Sequence, residues 1–412
     1  MRRSQADMES IQGYVAGIIK DVRENGDEAV VKYTRTFDNP NFSKEQIQVT
    51  KEDIRNAYAS VDPKVIETMK EQIRISRAYA EQERRHIVMD WNIETVPGVV
   101  TGMRYTPMES VGLYVPAGKA PLPVVAQILA TPAKAAGVPR VVVCFPPTGE
   151  WPEIIVSADL AGADEIYRVG GVQAIAALAF GTETIKPVHF IAGPGNPYVQ
   201  SAKLQVFGKV GIDMLSGPSE ALIMADKYAN PAFLAADILA RCEHGGDSAG
   251  VVVTDSMDIA KATFGEVERQ APLLKRQGYI QKALEQYSAI IVVNSIEEMI
   301  EFANEYSAEH LEVQVQNARA LLPRLRNAGS LFLGEFAPVA VGDYASGTNH
   351  CLPTGVAPKF ASPVGVKMFM KASGYQELKK EGLQTLKPIV ETLSDVEGLD
   401  AHKRSVQIRF EA

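Results

Sequence analysis

Two series of short apolar runs, each alternating with helical segments, are the feature that most constrains the fold of this chain. The first series begins at Ser110 and includes VGLYVPAG, RVVVCF, EIYRVGG and PVHFIAGPGN, and the second follows SGPSE and includes ALIMAD, GVVVTD, AIIVVN and LEVQV. Runs that are apolar on both faces are typical of parallel strands covered by helices on both sides. The sequence therefore predicts an α/β protein with two parallel-sheet sandwiches and a cleft between them.

The segments around these sandwiches have different textures. The first 85 residues show helical periodicity, interrupted at Gly26, and about thirty residues after Gly334 show no periodicity, which is typical of a functional loop. The tail returns to a helical pattern and ends in the strand-like SVQIRF. We therefore predict an N-terminal helical segment (1–109) that contributes to the first domain, two sandwich domains (110–215 and 216–360) and a small C-terminal domain (361–412) that docks on a partner subunit.

Charge and hydropathy exclude several classes of protein. The 412 residues carry a net charge of −8, and the basic residues are spread along the chain, which argues against a nucleic-acid partner. No apolar run reaches membrane-spanning length, and MRRSQADMES lacks the apolar middle of a secretory signal. The three cysteines are too scattered for a disulfide framework. We expect a cytoplasmic protein with no membrane partner.

Histidine is scarce, and its contexts point to candidate ligands. Of six histidines, four lie in polar, carboxylate-rich contexts, namely His244, His310, His350 and His402. A catalytic zinc site uses about three protein ligands and leaves one position open. His244, Asp343 and His402 could form such a site if the tail folds back, although their spacing alone does not show that they meet.

The adjacent Glu309 and His310 are candidates for acid/base chemistry near neutral pH. Neighbouring residues of a regular strand point to opposite faces, so a shared role requires a loop or a strand end. A solvated turn after a helix is the alternative. The turn AGPGNPY follows a strand and opens a helix, where backbone N–H groups could hold phosphate, but it lacks the third glycine of the dinucleotide fingerprint.

Six ordered blocks together resemble the histidinol dehydrogenase family: VGLYVPAGKAPLP, VGGVQAIAALAFGTE, AGPGNPYVQSAKLQVFGKVGIDMLSGPSE, AEHLE, GDYASGTNHCLPT and EGLDAHK. The resemblance extends from about Ile11 to Phe410. It implies two incomplete Rossmann-like domains, a homodimer with shared active sites, a zinc ion and NAD. It also implies the oxidation of a primary alcohol through an aldehyde to a carboxylate, as in L-histidinol to L-histidine.

The resemblance assigns roles to individual positions. Glu309 and His310 match the acid/base pair, in which the histidine takes the alcohol proton and the glutamate activates water. His244, Asp343 and His402 match the zinc ligands, which also lie beside the substrate. His402 is expected to come from the partner subunit. Further substrate contacts match Ser219, His350 and Glu397. NAD contacts match Tyr114, Gln173 and Asn196. A zinc hydrolase using the same ligands would not need the first sandwich.

One position departs from the resemblance. The family pattern QAEH is RCEH here, and the spacing would place Arg241 and His244 on one helical face. A guanidinium has no free lone pair, so Arg241 cannot replace glutamine as a zinc ligand. Three readings stay open. Arg241 turns aside to Glu243 or Asp247 and three ligands keep the zinc; it binds the anionic group of another alcohol, such as a sulfonated diol; or the site is lost and the protein is not catalytic.

Overall fold

The computed structural model describes residues 10–118, 121–215 and 217–411, and they form two compact units. The first unit comprises the described residues of Met1–Arg84 and Met108–Phe369, and the second comprises Arg85–Pro107 with the described residues of Met370–Ala412. Both parallel sheets lie in the first unit, so this division does not test the predicted boundary between the sandwiches. Within the described residues, no helix is both long and apolar enough to cross a membrane.

The strands and helices alternate from residue 110 onward, as the sequence predicts. The strands are β1 (Asp90–Val96), β2 (Val99–Pro107), β3 (Ser110–Tyr114), β4 (Arg140–Cys144), β5 (Glu165–Tyr167), β6 (Phe190–Ala192), β7 (Gly211–Ile212), β8 (Glu220–Ala225), β9 (Ala249–Thr254), β10 (Ala289–Val292), β11 (His310–Gln314), β12 (Ser330–Leu333) and β13 (Met370–Leu378). The helices are α1 (Gln12–Phe37), α2 (Lys51–Ser60), α3 (Pro63–His86), α4 (Pro123–Ala136), α5 (Pro152–Ala161), α6 (Gly171–Phe180), α7 (Pro197–Val206), α8 (Pro231–Cys242), α9 (Met257–Gln270), α10 (Gln277–Gln286), α11 (Ile296–Tyr306), α12 (Val339–Tyr344), α13 (Lys380–Glu397) and α14 (Asp400–Gln407).

Helices α1 to α3 confirm the predicted helical pattern over residues 10–85, whereas residues 1–9 of that prediction lie outside the described residues. The last part of the N-terminal segment is not helical, because it contains β1 and β2. Gly26 has a φ of +50° and kinks α1, a backbone conformation that glycine adopts at little cost. The kink leaves the backbone N–H of Asp27 free to donate to Glu183 Oε2 at 2.7 Å. Thr50 and Asp53 form a capping box that starts α2.

The first sheet is parallel, with the strand order β5-β4-β3-β6-β7. Every residue of its central strand β3 is buried. Apolar residues of α1, α6 and α7 cover one face, where they pack with Val142 and Ile191. Helix α4 packs on β3 and β4, and α5 packs on α4. Burial on both sides explains why these strands are continuous apolar runs in the sequence.

The second sheet is also parallel, with the order β10-β9-β8-β11-β12. Successive side chains of β8 point to opposite faces, as strand geometry requires. Leu222 and Met224 pack with Met299 of α11, whereas Ile223 packs with Ile238 of α8. Together the two sheets confirm the predicted α/β fold class.

The predicted aperiodic stretch after Gly334 is mostly irregular. It contains the short helix α12 and the 3₁₀ turn Ala357–Lys359, and a second 3₁₀ turn, Val366–Phe369, follows it directly. Glu312 of β11 fixes the start of α12, because its Oε1 accepts a hydrogen bond from the backbone N–H of Val339 at 3.2 Å. This contact links α12 to the sheet and so positions the residues that α12 carries.

The second unit contains an antiparallel sheet with the order β1-β2-β13, followed by α13 and α14. The prediction that SVQIRF is a strand is wrong: these residues belong to α14 and to a 3₁₀ turn at Ile408–Phe410. The alternating Val406, Ile408 and Phe410 misled the interpretation, because Val406 and Phe410 also have the spacing of one helical face. Glu397 ends α13 and His402 lies in α14.

Candidate active site

The amino ends of β8 and β11 bring the predicted acid/base pair together with Ser219. The two strands are parallel neighbours, and His310 pairs with Ala221. Ser219 and Glu309 each lie immediately before their strand, so both fall at the same edge of the sheet. Ser219 Oγ donates to Glu309 Oε2 at 2.9 Å. The strand-end geometry that a shared role for Glu309 and His310 requires is therefore present.

His310 is buried and its ring orientation is fixed by the backbone. Its Nδ1 lies 3.0 Å from the carbonyl oxygen of Glu220, which can only accept, so we assign the ring proton to Nδ1. The Nε2 atom is then left with a lone pair. Among the described residues it has no hydrogen-bond partner, and Asp343 Oδ1 lies 3.8 Å away. This tautomer makes Nε2 the atom that can accept a proton.

Glu309 is a buried carboxylate in contact with several donors. Its Oε2 accepts from Ser219 Oγ and from the backbone N–H of Glu220, both at 2.9 Å, and lies 3.4 Å from His310 Nδ1. Burial acts to raise the pKa of Glu309, but His310, the Glu220 N–H and Arg241 outweigh it and lower the pKa below its usual value. The group is therefore ionised at neutral pH and can act as a base.

Arg241 points into this cluster, with 3% of its surface exposed. Its Nη2 donates to Asp343 Oδ2 at 2.6 Å and its Nη1 donates to Ser219 Oγ at 3.2 Å. The proposed turn toward Glu243 or Asp247 is thus wrong. Arg241 follows Ile238 by three residues and lies on the buried face of α8, whereas Glu243 and Asp247 are exposed beyond the helix end.

The expected shared helical face of Arg241 and His244 is also wrong, because α8 ends at Cys242. His244 lies in the following turn, where its backbone N–H donates to the carbonyl of Arg241 at 3.2 Å. Taken over all its atoms, His244 is exposed to solvent. Desolvation of the ring by surrounding protein atoms is the main effect that lowers the pKa of His244, and the positive charge of Arg241 lowers it further. The imidazole is therefore neutral.

Asp343, on α12, is the second carboxylate of the cluster. Burial acts to raise its pKa, but nearby groups, among which the positive charge of Arg241 contributes most, outweigh burial and lower the pKa. His350 lies beside it, with Nδ1 2.8 Å from the carbonyl oxygen of Asp343. Burial lowers the pKa of His350. The cluster thus holds two ionised carboxylates, one guanidinium and uncharged imidazoles at His244 and His350.

The zinc that the resemblance implies does not fit this arrangement. Asp343 Oδ2 is engaged by Arg241, and the described part of the chain contains no group of three or more His, Cys, Asp or Glu side chains placed to hold a metal ion. His402 and Glu397 lie in the second unit. The contribution of His402 from a partner subunit and the substrate contact of Glu397 stay predictions. We assign no chemical step to a metal.

The predicted NAD contacts lie at the carboxyl edge of the first sheet, where parallel α/β sheets usually bind nucleotides. Tyr114 ends β3, and its hydroxyl oxygen accepts from the backbone N–H of Gly171, which opens α6 with a φ of +62°. Burial raises the pKa of Tyr114 to about 12. Asn196 caps α7, because its Oδ1 accepts from the N–H of Val199 at 3.1 Å. Tyr114 and Asn196 therefore both lie where strands meet helix N-termini.

Gln173 contacts Asp38, a residue that the sequence interpretation missed. It is buried in the first turn of α6, and its Nε2 donates to Asp38 Oδ2 at 3.3 Å, whereas Oε1 has no partner among the described residues. Burial raises the pKa of Asp38 to about 6. Asp38 is 135 residues from Gln173 in sequence. No local motif indicates that they meet.

The buried pair of Lys203 and Asp213 was also missed. Their side chains are 0% and 2% exposed and form an ion pair. Lys203 Nζ also donates to the carbonyls of Gly193 and Met214 at 3.0 and 3.3 Å, and Asp213 Oδ2 accepts from the N–H of Gly193 at 2.7 Å. Gly193 has a φ of +128°, and a Cβ at this position would clash with the carbonyl oxygen of Tyr114. The pair therefore fixes the AGPGN turn that leads to Asn196.

Comparison with known proteins agrees with this architecture. The family model for histidinol dehydrogenase matches residues 1–410. Histidinol dehydrogenases of Agrobacterium fabrum and Methanothermobacter thermautotrophicus are 44% and 42% identical to the chain; the matches cover 98% and 100% of it and 93% and 96% of those proteins. The crystal structure of histidinol dehydrogenase from Elizabethkingia anophelis superposes with a TM-score of 0.94 at 37% identity, covering 100% of this chain and 94% of that one.

The two parallel sheets and the buried imidazole–carboxylate pair, together with these relatives, define the class of protein: it is an oxidoreductase of the α/β type. More narrowly, the chain belongs to the histidinol dehydrogenase family. The fold implied by the resemblance of its sequence blocks is confirmed.

Proposed function

We propose that this protein oxidises L-histidinol to L-histidine through the aldehyde with NAD, as a step of histidine biosynthesis. Family membership supports the reaction. The observation that carries the chemistry is the buried pair of His310 and Glu309, in which Nε2 has an unshared lone pair and the carboxylate is ionised. The overall reaction consumes one water and two NAD⁺ and releases the carboxylate, two NADH and three protons.

In the first oxidation, His310 Nε2 takes the proton of the substrate hydroxyl while a hydride leaves the carbon. NAD, when bound, accepts that hydride. The backbone carbonyl of Glu220 holds the proton on Nδ1 throughout, and thereby keeps Nε2 as the base. A positioned general base contributes a factor of about 10² to 10⁴ to such a step.

In the second oxidation, Glu309 takes a proton from the water that attacks the aldehyde carbon, which leaves the hydrate anion. This anion gives up the second hydride, which a second NAD⁺ would accept, and the acid that forms releases a proton to become the carboxylate. Hydrogen bonds from Ser219 Oγ and the Glu220 N–H hold this carboxylate at the strand end. Ser219, His350 and Glu397 are the proposed substrate contacts.

The carboxyl edge of the first sheet fits NAD in two respects. The N-termini of α6 and α7 present backbone N–H groups there, which suit the pyrophosphate. The buried Oε1 of Gln173 has no partner among the described residues, so it can accept a hydrogen bond from a ligand. We propose Tyr114, Gln173 and Asn196 as the NAD contacts.

We also propose a homodimer in which Glu397 and His402 reach the active site of the other subunit. Ile389, Leu393 and Val396 support an interface in the second unit, because they have the spacing of one face of α13 and are 56%, 57% and 80% exposed. Three large apolar side chains exposed along one face are typical of a protein–protein contact.

The alternative of an anionic alcohol is not favoured. Both terminal nitrogens of Arg241 already donate to acceptors, and Asp343 neutralises the guanidinium charge. A sulfonate that bound through Arg241 would have to compete with Asp343 for the guanidinium charge in this buried pair.

The test is the production of NADH by the purified protein offered NAD with L-histidinol, and separately with L-histidinal. We expect His310→Gln to lower the first oxidation by about 10²-fold or more, and Glu309→Gln to lower mainly the oxidation of the aldehyde by a similar factor. Glu268→Gln removes an exposed carboxylate of α9 and serves as the matched control. Wild-type rates for Glu309→Gln on the aldehyde would refute its role, and inactivity of the wild type on both substrates would refute the function.

A further inference from the structure

Arg241 stands in this cluster at the position where the resemblance implies a glutamine that ligates zinc. Its guanidinium is bound to Asp343, the carboxylate expected to ligate zinc, at 2.6 Å. We infer that this guanidinium replaces the metal, so that the enzyme works with a covalently attached cation and binds no zinc at this site. The catalytic role of Arg241 rests on the proposed function, whereas the experiment below measures bound zinc and does not depend on that function.

The charges of the cluster exclude a metal ion as long as Arg241 remains in place. Arg241 is almost fully buried, and the Asp343 side chain is 12% exposed, so solvent screens their interaction little. A guanidinium keeps its charge at every accessible pH and offers no lone pair to a metal. Zinc bound through the other oxygen of Asp343 would share this carboxylate with Arg241 and lie beside a like charge. Both effects oppose metal binding.

Arg241 also has a positioning role that a bound metal ion could have, because it connects the two reactive side chains through hydrogen bonds. Through Nη1 it donates to Ser219 Oγ, which donates in turn to Glu309 Oε2. Through Nη2 it fixes Asp343, whose other carboxylate oxygen lies 3.8 Å from His310 Nε2. Arg241 is therefore a positioning residue: one fixed cation orients the water-activating carboxylate and the carboxylate beside the base.

The test measures zinc directly. The intact wild-type protein, Arg241→Gln, Arg241→Lys and the exposed-arginine control Arg319→Gln are dialysed against chelator-buffered zinc, and their metal content is determined by mass spectrometry. We expect Arg241→Gln to retain about one zinc per subunit, at least about 100-fold more tightly than the wild type, because the repelling charge is gone and an amide oxygen can ligate. The wild type, Arg241→Lys and Arg319→Gln should retain none.

Further variants and a chelator identify the site. Arg241→Gln with His244→Ala should lose the acquired zinc, which shows that the metal lies in this cluster. Wild-type turnover should be unchanged by a strong zinc chelator. Stoichiometric zinc in the wild type overturns the inference even if no variant folds, and zinc bound by Arg241→Lys, or absent from Arg241→Gln, overturns the role of the charge. The measurements of metal content need no turnover, so failure of the proposed dehydrogenase reaction is distinguishable from failure of this inference.

Discussion

The buried ion pair of Lys203 and Asp213 allows a test of how the AGPGN turn of the first sheet is held in place. Replacing Lys203 with methionine keeps most of the side-chain volume but removes the charge. Asp213 Oδ2 then keeps the hydrogen bond from the backbone N–H of Gly193 at 2.7 Å, and the carbonyls of Gly193 and Met214 lose the Nζ donor. A buried carboxylate without its partner is strongly destabilising.

The expected loss follows from the burial of both side chains, 0% and 2% exposed. Removing one member of such a pair costs about 3–5 kcal/mol, of which most is the uncompensated charge. Burial already raises the pKa of Asp213, so in the variant this group takes up a proton and the loss becomes smaller at low pH. A second substitution, Asp213→Asn, removes the charge and keeps an acceptor for Gly193. The double variant should therefore recover about half of the loss or more.

The assay is urea unfolding at pH 7 followed by tryptophan fluorescence, because Trp151 lies in the connection to α5 on the first sheet. Lys209→Met, an exposed lysine in the turn after α7, is the control and should change the free energy of unfolding by less than about 0.5 kcal/mol. A loss below about 1 kcal/mol for Lys203→Met, or a double variant no more stable than the single one, would refute the reasoning.

Two further predictions concern buried carboxylates whose pKa is raised. Asp38 has a pKa of about 6 against an ordinary 3.8, so the folded chain keeps a proton that the unfolded chain releases, and stability falls as pH rises between these values. Asp38→Asn should raise the free energy of unfolding at pH 7 by at most about 3 kcal/mol and leave it unchanged near pH 3; equal effects at both pH values would contradict the linkage. Burial, and next the carboxylate of Asp237, raise the pKa of Glu312 well above its usual value, so its ionisation also costs stability as pH rises. Glu312→Gln keeps an acceptor for Val339, and in denaturation at pH 8 it should be more stable than the wild type, a result that a less stable variant would overturn.

The fold was largely predictable because burial on both sides of a parallel strand leaves a direct record in the sequence. RVVVC and ALIMA are apolar at almost every position, and both belong to interior strands of their sheets. SVQIRF failed because three alternating apolar residues fit a strand and a helical face equally well over so short a length. Only neighbouring elements decide between them, and those are not local information.

The site was predictable where its residues are neighbours in sequence and not where they meet through the fold. Glu309 and His310 are adjacent, and their strand-end position was the stated requirement. The bond between Arg241 and Asp343 spans 102 residues, and its direction depends on the point where α8 ends. The first glycine after that helix is Gly245, three residues beyond Cys242, so the sequence suggested a longer helix and a shared face with His244.

The proton on His310 Nδ1 is held by a carbonyl of the main chain, and this has a consequence for how such an enzyme can change over evolutionary time. Any residue at position 220 except one that disrupts the strand presents the same oxygen. Substitutions of the side chains around the base can therefore change the substrate without changing the tautomer of His310. Every related protein that keeps β8 beside β11 would use the same nitrogen, Nε2, as the base.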